Sequence, residues 1–580
     1  MPEQAQPITP VERRVRASGL DIVLDLGPQR LSLEVPVASE DGEASFHITP
    51  DVVPLPALPA HEGFVSAAAL AQKAKYVDDR LMAATKLMLM AGAGRTPGRR
   101  YLLAQWAARL FAESKSPRGD AVEILLAACK LGQIQTPPRA RALDAAVDKR
   151  IAEFLSIPRL SLPLGFHGDT AELADAFRQN RMLATHLTNA RAITAVAGAL
   201  HGDRALRAAY EAQLHVRSRV TNPPKRPDLH SYLSALDDRR AAPRHGCALF
   251  PPLCSPEAPV IRDLVEMEEL PSVETDVLGI MIQRLQEGRL NLTPDDSSGF
   301  YQYQWWAAAP LAAPDRTPES ARLRWEPEYR KYLELMFRAV VAFARETHVE
   351  DLEEQEEAEE DEEEELEVHI TPALTVEPLP THYVRRAAGY RFLRKVLTAA
   401  FGDALLEAPR GVPGWPRDRS VREELDSIAD LFVGAAVTAW RELGRAPQRI
   451  ARAGERAAIF DAWRTAKSSD PDLGKDARMM VPVSVTPGGV ARVWMFLGWR
   501  GFPLQVGFAS RPSPRIVGAP PKQRIKWVYG SRTVRLHSPV IVEGYVRRLL
   551  DRGELRSVCD RARSVGAILE AVGFQRKLPT

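Results

Sequence analysis

The chain has 580 residues, 45% hydrophobic and 26% charged, with 77 Lys and Arg almost balanced by 75 Asp and Glu for a formal net charge of +2. That is ordinary globular usage, and at roughly 100–200 residues per domain it predicts two to four domains. No apolar stretch approaches the roughly 18–20 residues that cross a bilayer, and the opening MPEQAQPITPVERRVR lacks the layout of a signal peptide. A soluble, cytoplasmic protein with no membrane partner is expected. Four cysteines (Cys129, Cys247, Cys254, Cys559) are too few for a disulfide framework, so stability must come from packing.

Apolar and polar residues alternate over 20–26 and again over 30–35, with Gly27-Pro28 between, which predicts a small N-terminal β-hairpin. Residues 1–61 are therefore expected to form a β flap and an extended lead-in segment. From Ser66 to about Asp238 an Ala, Leu and Arg pattern recurs every three or four residues, broken at Gly92-Ala93-Gly94 and Pro137-Pro138, and predicts roughly six or seven helices. Proline-rich connectors follow near Pro223 and Pro251, after which the helical period resumes over 258–267, 273–286 and 326–347, with Pro327 suited to a first turn. A helical domain over 62–349 results.

Between Glu350 and Glu367 lie fourteen acidic residues with almost no other chemistry. Self-repulsion should leave such a run extended and solvated, so 350–368 is expected to be an acidic linker. Helical periodicity returns from His382 to about Lys467. The segments 480–485, 491–497 and 504–508 then turn β-rich, separated by Pro487-Gly488-Gly489 and Gly501, and 538–573 predicts two closing helices. The expected fold class is mostly α: a multi-helix body with a small N-terminal β-hairpin and a small antiparallel β element in a C-terminal α+β domain, 369–580.

His47-Ile48-Thr49-Pro50 ahead of His61 recurs as His369-Ile370-Thr371-Pro372 ahead of His382, each copy running toward a helix. Two equivalent lead-ins to helical bundles explain this better than a paired-histidine site, which would need further ligands.

Leu162-Pro163-Leu164-Gly165-Phe166-His167 running into Glu172-Leu173 and Phe177-Arg178, Val376-Glu377-Pro378-Leu379-Pro380 before Tyr383 and Ala387, and Asp476-Ala477-Arg478 leading to 493–498 occur in order along the chain. In these landmarks the chain resembles an uncharacterised bacterial family built on a domain of unknown function. The resemblance implies a largely helical body with a small β element, spans about 160–510, and brings no activity, ligand or catalytic residue. Members of that family are often exported, which the opening of this chain does not predict.

The signatures of common chemistries are missing from the sequence: no G-x-x-x-x-G-K-[ST], H-E-x-x-H, G-x-S-x-G or C-x-x-C. The glycines of Gly92-Ala93-Gly94 follow a helical pattern rather than a strand and read as a helix stop, not a dinucleotide turn. His245, Cys247 and Cys254 offer one nitrogen and two sulfurs without a fourth ligand, and no third group orients a Cys–His pair. No metal and no cofactor is therefore expected. Glu346 and His348 end a predicted helix, where an imidazole already suits the helix dipole better than it suggests acid–base work. The densest aromatic cluster, Phe300, Tyr301, Tyr303, Trp305 and Trp306, follows Asp295-Asp296; it predicts either core packing or a pocket lined by Asp296, Tyr301, Tyr303, Trp305 and Trp306.

Charge layout is the most informative signal. Without the fourteen acids of 350–367 the remainder carries 61 acidic against 77 basic residues, about +16. From Ala477 to Val542 there is no Asp or Glu, while Arg478, Arg492, Arg500, Arg511, Arg515, Lys522, Arg524, Lys526, Arg532 and Arg535 supply ten positive charges. All of these except Arg478 are candidate polyanion-binding residues, because arginine forks suit phosphate and carboxylate and interleaved Trp and Tyr suit stacking. Three functions follow, in order of preference: a non-enzymatic interaction or scaffold protein that docks protein partners through helical surfaces and the basic C-terminal module; a nucleic-acid or polyanion binder autoinhibited by its acidic tract; and a hydrolase with its pocket near 300–306. Deleting 350–367 is expected to raise affinity for an anion without unfolding either half. Neither partner identity nor oligomeric state is encoded legibly.

Overall fold

The computed structural model describes residues 10–16, 19–25, 29–36, 47–52, 54–58, 64–94, 96–114, 117–260, 276–321, 327–352, 368–370, 374–445, 450–485, 489–507, 513–517, 524–528 and 531–576. The fold is mostly α, as expected. At the N-terminus the hairpin is the middle of a four-stranded antiparallel meander, β1 (Pro10–Arg16), β2 (Gly19–Asp25), β3 (Gln29–Pro36) and β4 (His47–Val52). Its centre pairs Leu20 with Val35 and Leu24 with Leu31, in keeping with the alternation on both segments.

The body begins with α1 (Ala67–Ala91), whose N-cap Ser66 accepts from the Ala69 amide and which stops at Gly92, φ +81°. A β-carbon on Gly92 would lie 2.1 Å from the Gly98 nitrogen, so the reversal that follows α1 requires glycine. All but three residues of α1 are buried, including Lys75, Asp78, Asp79, Arg80 and Lys86. A helix buried all round is ordinarily apolar, so each of these charges needs a partner inside the protein.

Seven longer helices follow, with a one-turn helix at Pro158–Ser161 among them: α2 (Arg99–Glu113), α3 (Asp120–Leu131), α4 (Arg141–Leu155), α5 (Ala171–Leu183), α6 (Ala190–His201), α7 (Arg204–Val220) and α8 (His230–Asp237). They close one core around Trp106, Ile193, Tyr210 and Phe250. A second, larger core joins α1 to α9 (Val277–Glu287), α10 (Phe300–Ala312), α11 (Pro327–His348), α12 (Pro380–Phe401), α13 (Val421–Glu442) and α14 (Ala453–Ala466). In this core Leu70 and Phe337 pack with Tyr383, Phe432 and Trp494, residues from both sides of the acidic run. The boundary expected at 350–368 therefore does not divide two hydrophobic cores, because helices from both sides bury their apolar faces on α1 and on one another.

The second sheet is β10–β7–β5 with β6 also on β7, where β5 is Val368–Ile370, β6 is Met479–Val485, β7 is Ala491–Gly507 and β10 is Ser531–Val546. β7 pairs antiparallel with β6 and β10 but parallel with β5. Strands β8 (Ser513–Val517) and β9 (Arg524–Val528) form a hairpin between β7 and β10. Trp494, Phe496 and Trp499 face the large helical core, whereas Val493, Met495 and Leu497 face a third core with α15 (Arg552–Cys559) and α16 (Val565–Ala571). Both faces of the inner half of β7 are covered, which explains its continuous apolar run.

Candidate functional site

The acid-free stretch maps onto β6 through β10. β7 and β10 pair from Val546 opposite Ala491 out to Ser531 opposite Gly507, with a bulge between Val540 and Ile541. The inner half lies in the core, and the outer half leads to the β8–β9 hairpin. Arg478 directly precedes β6 and Arg492 belongs to the inner half of β7, and the sequence expectation is corrected for Arg492. Its side chain is 1% exposed, and its guanidinium lies 2.8 Å from Glu543, one residue beyond the acid-free window. A buried, ion-paired arginine presents nothing to a partner. Arg478 is likewise buried, between Asp476 and Asp560.

The other cations lie farther out. Arg500 is half-buried on β7. In the backbone register Arg515 stands opposite Lys526, Arg524 opposite Val517, Arg532 opposite Val506 and Arg535 opposite Pro503. Arg511 and Lys522 fall outside the described residues, as do the side chains of Arg515, Arg524, Lys526, Arg532 and Arg535. No carboxylate exists anywhere in 477–542, so backbone pairing in the outer β7–β10 segment and the β8–β9 hairpin sets cations only against cations or neutral residues. Like charges directly opposite on adjacent strands repel, which favours an anion from elsewhere.

One flank comes from the residues directly after the acidic run. β5 begins at the residue after Glu367 and pairs Val368 with Leu504, His369 with Gln505 and Ile370 with Val506. The start of the run is equally anchored. Glu350 and Asp351 are 2% exposed, and Leu253 donates its amide to the Asp351 carbonyl at 2.8 Å. The linker expectation is thus corrected at its first residues: Glu350, Asp351 and Leu352 are built into the body. The remaining acids, in 353–367, lie outside the described residues.

The anchor is part of a charged interior around α1. Lys86 lies 2.6 Å from Asp351 and 3.2 Å from Glu350, and Arg217 reaches Asp351 at 2.7 Å. From Asp351 a line of hydrogen-bonding contacts crosses the body: Thr221 Oγ1 at 3.2 Å, then His348 Nδ1 at 3.2 Å, His348 Nε2 to Gln304 Oε1 at 2.9 Å, and Gln304 Nε2 donating to Asp78 at 2.9 Å. Asp78 ends on Arg386. A second cluster joins Lys75 to Asp79 and to Glu346, each at 2.8 Å, with Arg552 of α15 bridging the same two carboxylates. Burial alone would raise the Asp79 carboxyl, but Lys75 and Arg552 outweigh it and hold Asp79 down to about 2. Burial pushes His348 down to about 3, so the imidazole is neutral near pH 7 and does not act as a charged acid.

Arg552 also floors a cleft of about 370 Å³ lined by Tyr76, Asp169, Lys475, Asp476 and Arg556. Its cations are already engaged: Arg552 on Asp79 and Glu346, Arg556 on Asp476, Lys475 on Asp472. The cleft therefore has a self-neutralised floor.

The aromatic cluster does not converge on one cavity. Gly299 caps α10, and positions 301 and 305 lie on its inner face, where Tyr301 and Trp305 are fully buried beside His348, Phe337 and Trp494. Tyr303 and Trp306 lie on the outer face, with Tyr303 stacked on Phe392 at 4.4 Å, and Asp296 is exposed. Helical periodicity separates what the sequence crowds together. Glu346 and His348 are likewise apart, two residues along α11 and turned to different partners. Cys247 is buried and its thiol pushed up to about 12 by that burial, while His245 is exposed, so these two do not form a nucleophilic pair. Among the described residues no cluster of His, Cys, Asp or Glu is arranged to hold a metal ion. His382 is buried with Nδ1 2.6 Å from the Ala307 carbonyl; His47, His61 and His369 lie outside the described side chains.

The sequence reading did not find the charged interior. A signal was present: Lys75, Asp79 and Lys86 share one face of α1 at i, i+4 and i+11 in a helix with no continuous polar side. No helix among the described residues is long and apolar enough to cross a membrane. No protein-family model, curated protein or solved structure matches the chain.

Proposed function

We propose that the chain is a non-enzymatic interaction protein that docks an anionic partner, nucleic acid or another phosphate-rich polymer, through the ribbon formed by the outer β7–β10 pair and the β8–β9 hairpin, and that its own acidic run competes for that ribbon. The observation that carries this reading is the parallel register of β5 on β7. It sets the residue following twelve acids of 353–367 beside Leu504, in a ribbon whose sequence holds cations and no carboxylate. Both ends of the run are fixed to the body, so its effective concentration at the ribbon is that of a short tether rather than of a free peptide.

The test replaces 353–367 with a Gly/Ser segment of equal length, leaving 350–352 and 368–370 intact, and follows fluorescence anisotropy of a labelled single-stranded oligonucleotide over a salt series. The variant is expected to bind at least about tenfold tighter than the parent, with log K falling against log salt by about 0.7 per phosphate contacted. Equal affinity of the two proteins removes the competitor role. Absence of binding at low salt by both removes the polyanion reading.

A further inference from the structure

The helical body also carries a groove at its surface. The C-terminal end of α9 with the segment after it, the outer face of α10 and the start of α12 enclose a groove of about 350 Å³. Its apolar wall includes Leu290, Leu292, Pro310 and the Trp306 indole, and its polar side carries Arg316 and Arg385; among the described residues none that lines it has a carboxylate.

Both arginines are seated by the local backbone. Pro310 inside α10 has no N–H to return to the Trp306 carbonyl four residues earlier. Arg385 Nη1 donates to that orphaned oxygen at 3.0 Å, and the guanidinium carbon stands 4.7 Å from the Trp306 ring centroid. Arg316 Nε donates to the Gln286 carbonyl at 2.8 Å, and its terminal nitrogens lie over Gly288, where an added β-carbon would meet them at 2.5–2.6 Å. Gly288 is the left-handed C-cap of α9 at φ +75°, so it both ends that helix and leaves room for the guanidinium.

Two described carboxylates nearby, Asp315 and Glu319, have hydrogen-bond or ion-pair partners of their own, and Glu319 also acts on Arg385 through space. Asp315, next to Arg316 in sequence, pairs with Arg330, and the buried Glu319 holds Thr381. Among the described residues neither Arg316 nor Arg385 has an ion-pair partner. This contrasts with the interior, where Arg80, Arg217, Arg386 and Arg552 each meet at least one carboxylate. Fixed guanidinium forks with donors to spare, beside an aromatic face and an aliphatic wall, suit a ligand with an oxyanion at one end and a flat apolar body at the other.

We propose that this groove binds a small organic anion, an aromatic phosphate or carboxylate, with the oxyanion on Arg316 and Arg385 and the ring against Trp306 and Pro310. Isothermal titration of the full chain with phenyl phosphate tests it, with inorganic phosphate and benzyl alcohol as the two half-ligands and benzoate as the alternative head group. Phenyl phosphate is expected to bind at one site with Kd of roughly 1 mM or tighter, and each half-ligand at least about tenfold weaker. Arg316→Gln, at an exposed side chain held only through a backbone carbonyl, is expected to weaken binding about tenfold with the melting temperature unchanged. Arg385→Gln and Trp306→Leu should weaken it at least as much. Benzoate binding better than phenyl phosphate assigns the head group as carboxylate within the same proposal. No saturable binding up to about 10 mM, inorganic phosphate binding as tightly as phenyl phosphate, or an Arg316→Gln protein that binds like the parent each overturns it.

Discussion

The interior around α1 and the ribbon beyond Trp499 hold charge in opposite ways. Inside, every cation of α1 meets a carboxylate brought from far along the chain: Lys75 meets Glu346, Arg80 meets Glu424 and Asp472, and Lys86 meets Asp351. In the ribbon, cross-strand pairing sets Arg515 against Lys526 and offers no carboxylate at all. The first arrangement fixes helices relative to one another, since a lone buried charge is costly and each pair tolerates one geometry. The second sets like charges opposite one another in the backbone register, and on the proposed function that charge is met by an anionic partner. The same residue type, arginine, is paired in the interior, and the difference lies in which residues the fold sets opposite it.

The contrast is broken most directly at Arg552. Arg552→Met leaves Asp79 and Glu346 sharing Lys75 alone, and removal of one partner from a buried ion cluster should cost about 3–5 kcal/mol in urea unfolding. A cost below about 1 kcal/mol would show the cluster to be no more than a surface ion pair.

Glu377 offers the next largest effect. Its carboxylate, fully buried, accepts from the Ala67 amide at the N-terminus of α1 and from Tyr329, both at 2.6 Å. Burial nonetheless pushes its pKa from 4.5 up to about 7, against the opposing hydrogen bonds. The folded protein therefore holds a proton that the unfolded chain releases between those values. That contribution is most favourable below pH 4.5 and is lost as pH rises toward 7, by about 3 kcal/mol over the window. Glu377→Gln should flatten that part of the stability profile. Asp79, held down to about 2, works in the opposite sense: its contribution is present above 3.8 and lost as pH falls toward 2, so acid unfolding should persist in the Gln variant. An unaltered slope between pH 5 and 7 in the variant would remove Glu377 as its source.

The smallest expected effect sharpens the other side of the comparison. Arg515→Thr removes one of two like charges paired across β8 and β9, so stability should be unchanged or rise by about 0.2–1 kcal/mol. In the oligonucleotide titration the same change should lower the salt slope by about 0.7. A loss of stability as large as that expected for Arg552→Met would place Arg515 among the structural arginines.

The fate of the acidic run shows why composition could mislead. Glu350 and Asp351 look like the first members of a fourteen-acid tract, yet Lys86, Arg217 and Thr221 draw them into the body while the chain returns as β5 beside the ribbon. Deleting 350–367 as a block would strip Lys86 and Arg217 of Asp351, so the expectation that such a deletion leaves both halves folded is corrected; 353–367 is the segment to remove.

By itself the sequence determined many of the local elements, though not all: 538–546, expected to open the closing helices, is instead the inner end of β10, because its apolar residues pair with β7 in the core. The helical period of 67–91, the alternation of 20–35, the β-rich segments after 479 and the acid-free window can all be read from residue order, because each depends on neighbours within a few positions. Tertiary structure alone decided which cations are consumed. Arg492 and Arg500 lie eight residues apart on one strand with the same composition around them, yet Arg492 is buried on Glu543, fifty-one positions away, and Arg500 is only half-buried. Of the groove at Arg316 and Arg385 the sequence offered only Trp306 among its candidate pocket residues; the arginines themselves are far apart along the chain. A charge belongs to a site or to the scaffold according to its partner in space, and those partners come from distant parts of the chain that only the packing of helices and strands brings together.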